Sequence, residues 1–217
     1  VAELARHSPR RRLKACLAAA LAATFAHSAA AHPHVWIVVE TTVLYDKGAF
    51  TGLRHDWTFD EFYTQMAIEG LDKNHDGIYD REELSELAKV NIDGLKEFSY
   101  FTYPMHADKA IKFEDARDYW LEHKNGLLVL HFTLPFAKPV AATGANFTFQ
   151  VEDPTYFIAF SPAKDNPYRL GAGAPKSCKL TVAPQDEAPE AALAKAFAQV
   201  FPNVSASGAV AVVCNAP

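Results

Sequence analysis

The stretch Asp72-Lys73-Asn74-His75-Asp76-Gly77-Ile78-Tyr79-Asp80-Arg81-Glu82-Glu83 satisfies every fixed position of the calcium-loop pattern D-x-[DN]-x-[DN]-G-x5-E. Calcium takes about six to eight oxygen ligands. The side chains of Asp72, Asn74 and Asp76, the Ile78 carbonyl, Asp80 through a water and both carboxylate oxygens of Glu83 offer them in the required order, and Gly77 permits the sharp turn. Phe59, Phe62, Tyr63, Met66 and Ala67 recur at helical spacing before the loop, and Leu84, Leu87 and Ala88 recur after it. The reading is an EF-hand-like helix-loop-helix inserted at residues 58–95. His75 and Tyr79 stand where smaller or aliphatic residues are usual, and no second loop of this kind follows. An isolated loop suits a structural brace or a weak site, with a dissociation constant on the order of 0.1–1 mM.

The start of the chain has the pattern of a secretory signal peptide. Arg10, Arg11, Arg12 and Lys14 precede an apolar run from Ala15 to Ala26, and small residues end at Ala29-Ala30-Ala31. The expectation is a leader over residues 1–31, cleaved after Ala31, with residues 32–217 forming a single periplasmic domain. No later segment reaches the roughly 18 apolar residues that a spanning helix needs. The chain carries 21 Lys plus Arg and 26 Asp plus Glu. Loss of the leader removes five basic residues (Arg6, Arg10, Arg11, Arg12, Lys14) and one acidic residue (Glu3), leaving 16 basic and 25 acidic side chains and a net charge of −9. Such a balance argues against nucleic acid as a partner and is compatible with cations.

Cleavage there would expose His32-Pro33-His34-Val35-Trp36. A free amine and two imidazoles suit zinc, nickel, cobalt or copper rather than calcium. Pro33 removes an amide N–H, so coordination would run through side chains or through the His32 amine and ring. Val35 to Tyr45 and Phe50 to Thr58 flank Asp46-Lys47-Gly48 and read as a hairpin. A two-residue Lys47-Gly48 turn sets His34 opposite Glu61, and a three-residue turn sets it opposite Asp60. Glu61 serves equally as the partner of Thr58 in a capping box, which leaves Asp60 as the better carboxylate ligand. His55 lies farther along the ladder and joins only if the sheet bends.

The remaining chain is mostly β. Strands are expected at Glu97–Tyr103, Ala110–Phe113, Asp118–His123, Leu127–Leu134, Phe147–Val151, Tyr156–Phe160, Cys178–Val182 and Ala209–Cys214, with Ser161–Lys176 a long loop and Pro189–Val200 a C-terminal helix. Asn125-Gly126 is a hairpin turn that pairs Trp120 with His131, read as a core histidine packed on an aromatic ring. Cys178 and Cys214 form an even pair in an oxidising compartment and read as a disulfide, worth roughly 3–4 kcal/mol by chain entropy. The fold class expected is α+β: a mainly antiparallel sheet domain with the single EF-hand-like insert and the C-terminal helix.

There is no G-x-S-x-G, phosphate-cradling glycine loop, dinucleotide fingerprint, H-E-x-x-H or mature C-x-x-C. His32-Pro33-His34-Val35-Trp36 after a leader, Trp57-Thr58-Phe59-Asp60-Glu61, the single calcium-type loop, Tyr100-Phe101-Thr102-Tyr103, Leu130-His131-Phe132 and Asp153-Pro154-Thr155-Tyr156-Phe157 occur here in that order. The set resembles a bacterial family known as domain of unknown function 1007, labelled the periplasmic component of an uncharacterised ABC-type transport system. The resemblance implies association with nickel/cobalt-exporter-type inner-membrane permeases and a role in zinc, nickel or cobalt handling. The expectation is a non-enzymatic periplasmic accessory that binds Ca2+ at the loop and Zn2+, Ni2+, Co2+ or Cu2+ at His32, His34, Asp60 and His55. One rival is a copper-dependent oxidative enzyme built on an N-terminal histidine brace. Another is a calcium-stabilised adaptor with no transition-metal role.

Overall fold

A computed structural model describes residues 34–155, 157–183 and 208–215. Two turns organise it. Lys47-Gly48 and Asn125-Gly126 take positive φ at all four residues (45°, 87°, 53° and 82°), the primed-turn geometry whose twist matches that of the strands it joins. The first connects β1 (Val35–Asp46) to β2 (Ala49–Phe59), and the second connects β5 (Arg117–Lys124) to β6 (Leu127–Ala141). Between these hairpins lie α1 (Glu61–Ala67), α2 (Ser85–Glu97), β3 (Thr102–His106) and β4 (Lys109–Ala110). After them come β7 (Asn146–Val151), β8 (Ile158–Pro162), β9 (Tyr168–Leu170), β10 (Cys178–Val182) and β11 (Val210–Cys214).

The strands form two sheets. One runs β5-β6-β2-β1-β8 with β9 also pairing β1, and the other runs β10-β11-β7-β3-β4. Alternation along β2 puts Leu53, His55, Trp57 and Phe59 inward and Arg54, Asp56 and Thr58 outward. The inner face of the first sheet is covered in two ways. Val43, Phe50, Leu53 and Phe136 pack with Phe147, Phe149 and Val212 of the second sheet. Trp57, Leu121, Leu128 and Leu130 pack with Ile68, Leu84, Ala88 and Ile92 of the helical insert. Spacing of four residues puts Leu84, Ala88 and Ile92 on one stripe of α2, which is why that helix lies flat on the sheet.

The expectation of an α+β domain is corrected. Strand outweighs helix by 50% to 15%, so the fold is mainly β, with two sheets and two short helices among the described residues. Pro189–Val200, expected as a C-terminal helix, lies outside the described residues, and no such helix is found within them. Three local expectations also change. Glu97 to Phe101 is not strand: α2 runs to Glu97, and Ser99, Tyr100 and Phe101 follow in a tight 3-10 turn with φ of 54°, 54° and 47°. Each left-handed residue costs about 1–2 kcal/mol, opposed here by burial of Tyr100 and Phe101 and by the Ala116 N–H donated to the Tyr100 hydroxyl at 3.2 Å. Tyr156 to Phe160 does not extend the sheet of β7, because β8 crosses to lie parallel to β1. Phe62 and Met66, read as part of the apolar face of α1, are 70% and 59% exposed; Thr64 and Ile68 take the inner face instead.

His55 sits at the seam between the two packing regions, fully buried, with ring contacts to Trp57 and Phe132. Its Nδ1 pairs with the Thr41 hydroxyl at 3.0 Å, and its Nε2 faces the Thr102 hydroxyl at 3.5 Å. Burial pushes its pKa from 6.5 down to about 3, against the opposing pull of Asp56. The ring is neutral in the folded protein, and in the unfolded chain it takes a proton below pH 6.5. Stability is therefore full above that value and falls as pH drops toward 3, by about 1.4 kcal/mol per pH unit. Denaturant titrations from pH 7 to pH 4 should show this slope, and His55→Gln should flatten it.

Cys178 and Cys214 stand directly opposite each other on β10 and β11 and are joined as a disulfide. Gly52 is the tightest point of the first sheet. A methyl group there would meet the Leu134 carbonyl and come within 2.9 Å of Pro135 Cα, both of them backbone. Gly52→Ala should thus force the β2–β6 ladder apart, cost about 1–3 kcal/mol and lower Tm by several degrees in a thermal melt.

Candidate metal centre

The loop between the helices is built by its own carboxylates. Asp72 accepts from the amides of Asp76 (3.2 Å) and Gly77 (3.0 Å), and Asp76 accepts from the amide of Ile78 (2.7 Å). The Asn74 side chain bonds Asp76 at both ends: its oxygen accepts from the Asp76 amide, and its nitrogen donates to the Asp76 carboxylate. Asp80 accepts from the amides of Glu82 and Glu83. Glu83 reaches back across the loop, where its two oxygens accept from the Lys73 amide at 2.8 Å and the Asp80 amide at 3.3 Å. Gly77 has φ of 78° with open space where a Cβ would stand, and His75 takes φ of 59°, a left-handed conformation that histidine tolerates better than most residues.

The donor set fits calcium in type and order. An ionised carboxyl has about four lone-pair sites, so an amide bond to one does not exclude a cation at another. The carboxylates are nevertheless spread along the loop: among the described residues no group of three or more His, Cys, Asp or Glu side chains converges as a metal cage.

Alternate residues of the loop face away from its centre. Tyr79 packs edge-on against His123, ring centroids 5.0 Å apart, and the Arg81 guanidinium lies 4.7 Å over the Trp120 ring. Both targets belong to β5, so the loop is fastened to the β5–β6 hairpin. The insert is held there at two further points. Thr64 of α1 accepts from the Leu128 amide at 3.0 Å, and Lys96 of α2 pairs with Asp115 at 2.7 Å.

The histidine site has a different geometry from the one expected. The Lys47-Gly48 turn has two residues, but Thr51 is left over between the Leu44–Gly52 and Tyr45–Phe50 pairs, and this bulge shifts the register beyond it. Asp60 falls level with Trp36, not His34. One Asp60 oxygen accepts from the Trp36 amide and the other from the Tyr63 amide, each at 2.8 Å, making Asp60 the N-cap of α1 in place of Thr58. The His34 amide donates to the Phe157 carbonyl at 2.9 Å, and its ring packs on Phe157. His55 is in the core, paired with Thr41, and His32 lies outside the described residues. The structure thus does not assemble His34, Asp60 and His55 into one site.

It assembles another group instead. His131 does pair with Trp120 as the turn predicts, stacked at 4.0 Å, but on the outer face of the sheet rather than in the core. There its Nδ1 meets Asp56 at 2.5 Å and its Nε2 faces Glu122 at 3.4 Å. Burial raises the Asp56 carboxyl, but the hydrogen bond and charge of His131, with Arg54 and Arg169, more than offset it and hold Asp56 below the ordinary carboxylate range. The sequence signal was the strict alternation of β2, where polar Arg54, Asp56 and Thr58 interleave with apolar residues. It marks an outer row that β6, apolar on both faces, conceals.

Comparison with known proteins gives the family without a function. An uncharacterized protein of Haemophilus influenzae is similar at 28% identity over 133 residues, which covers 61% of this chain and 64% of that protein. Residues 17–209 match the family described as "Protein of unknown function (DUF1007)", and the chain belongs to that family.

Proposed function

We propose that the protein is a non-enzymatic metal-binding accessory of a periplasmic transition-metal transport system, handling zinc, nickel or cobalt beside an inner-membrane permease, with calcium bound at the Asp72–Glu83 loop. The loop itself carries the calcium part of this reading, and the transition-metal part rests on the family resemblance of the sequence. Five side-chain donors and the Ile78 carbonyl stand in calcium order, and the twelfth residue, Glu83, reaches back over Lys73 and Asp80. Calcium there acts as a brace. Drawing the loop carboxylates around one ion would fix residues 78–83, and with them the contacts of Tyr79 and Arg81 to β5. The brace therefore acts on the β5–β6 hairpin.

Calcium at about 100 times its dissociation constant should stabilise the fold by about 2.7 kcal/mol, read as a rise in Tm. Asp72→Ala/Glu83→Ala should abolish that rise. Calorimetry and elemental analysis on the chain beginning at His32 should show zinc, nickel or cobalt binding that survives the loop substitutions. Absence of any transition-metal binding above background would overturn the transport reading and leave a calcium-braced adaptor.

A further inference from the structure

Strand register brings Trp120, His131 and Asp56 into one row across β5, β6 and β2. An Asp56 carboxylate oxygen lies 2.5 Å from His131 Nδ1. That oxygen accepts a hydrogen bond from Nδ1–H, the arrangement by which a carboxylate orients a metal-binding imidazole. Nε2 is the ring nitrogen left for another partner. It points at Glu122 Oε2, 3.4 Å away, a second electron-rich atom. Two such atoms face each other stably only with a cation between them, which is either a second proton on the ring or a metal ion. The spacing, that of a long hydrogen bond, also suits a metal. Nitrogen and oxygen ligands each about 2.0–2.2 Å from a tetrahedral zinc-class ion stand roughly 3.3–3.5 Å apart.

We propose that His131 Nε2 and the Glu122 carboxylate are the protein half of a binding site for a borderline divalent cation of the zinc, nickel and cobalt class, with Asp56 as the positioning residue. The proposal rests on the transition-metal reading above and assigns it residues. No third His, Cys, Asp or Glu joins the pair among the described residues, so the remaining coordination positions fall to water or to a donor brought by a partner. An open site of this kind exchanges its ion, as delivery requires. Trp120, stacked parallel to the imidazole at 15°, shields one face of the ring and reports on the ion. Arg54 and Arg169 stand 3.9 Å and 4.0 Å from the Asp56 carboxylate, and Arg81 lies 4.7 Å over the Trp120 ring.

The test is Ni2+ titration of the calcium-loaded chain beginning at His32, followed by tryptophan quenching and calorimetry. Glu122→Gln and His131→Asn should each weaken binding at least tenfold, and Asp56→Asn should weaken it about 10–100-fold, with thermal melts confirming the fold. Trp120→Phe should abolish the quench, which assigns the signal to this ring. If Glu122→Gln and His131→Asn bind as wild type while His32→Ala/His34→Ala does not, the proposed site is wrong and the transport reading stands. If wild type binds no Ni2+, Zn2+ or Co2+, both fail, and His131 is an ion-paired imidazolium.

Discussion

Strand β2 is hydrogen-bonded on both sides, to β1 and to β6, and its period-two alternation separates two chemical environments by the thickness of one backbone. Inward, His55 and Trp57 meet the buried layer; outward, Asp56 meets His131. A slip of one residue would exchange the two sets, placing an ionised carboxylate in the core. The close approach of Gly52 to Leu134 and Pro135 holds the ladder in the one register that avoids this. Neighbouring elements inherit their positions from it: the second sheet covers one half of the inner face, the helical insert covers the other, and the outer face keeps its polar row.

Much of this was legible in the residues. Both glycine turns, the β1–β2 and β5–β6 hairpins, the β10–β11 disulfide and the helices around the calcium-type loop follow from local chemistry, because each is decided by residues close in sequence or by a single unambiguous pairing. The losses were non-local. The bulge at Thr51 depends on how β2 meets β6, so no inspection of the Lys47-Gly48 turn could have set Trp36 rather than His34 level with Asp60. Ser99 to Phe101 have the composition of a strand and take left-handed geometry because Tyr100 and Phe101 are drawn into the core. His131 looked like a core residue because its strand is apolar on both faces, and its partners come from β2 and β5.

The insert shows how a short loop serves two tasks with one alternation. Ile78, Asp80 and Glu83 belong to the calcium donor set, while the intervening Tyr79 and Arg81 grip His123 and Trp120. Trp120 in turn stacks on His131. A continuous set of contacts therefore runs from the loop to the outer row, through rings whose planes tolerate little displacement at these distances.

The borders of the two sheets carry a consequence of their own. Border strands present unpaired amides and carbonyls that invite another chain to add on. Here β4 has two residues and β9 has three, while β5 carries Arg117, Asp118, Glu122 and Lys124 and is kinked where Asp118 takes φ of 52° between its pairings to Thr133 and His131. Shortness, charge and a kink make poor templates for strand addition. Along these three borders the fold thereby resists the intermolecular ladder growth that its own backbone would otherwise support.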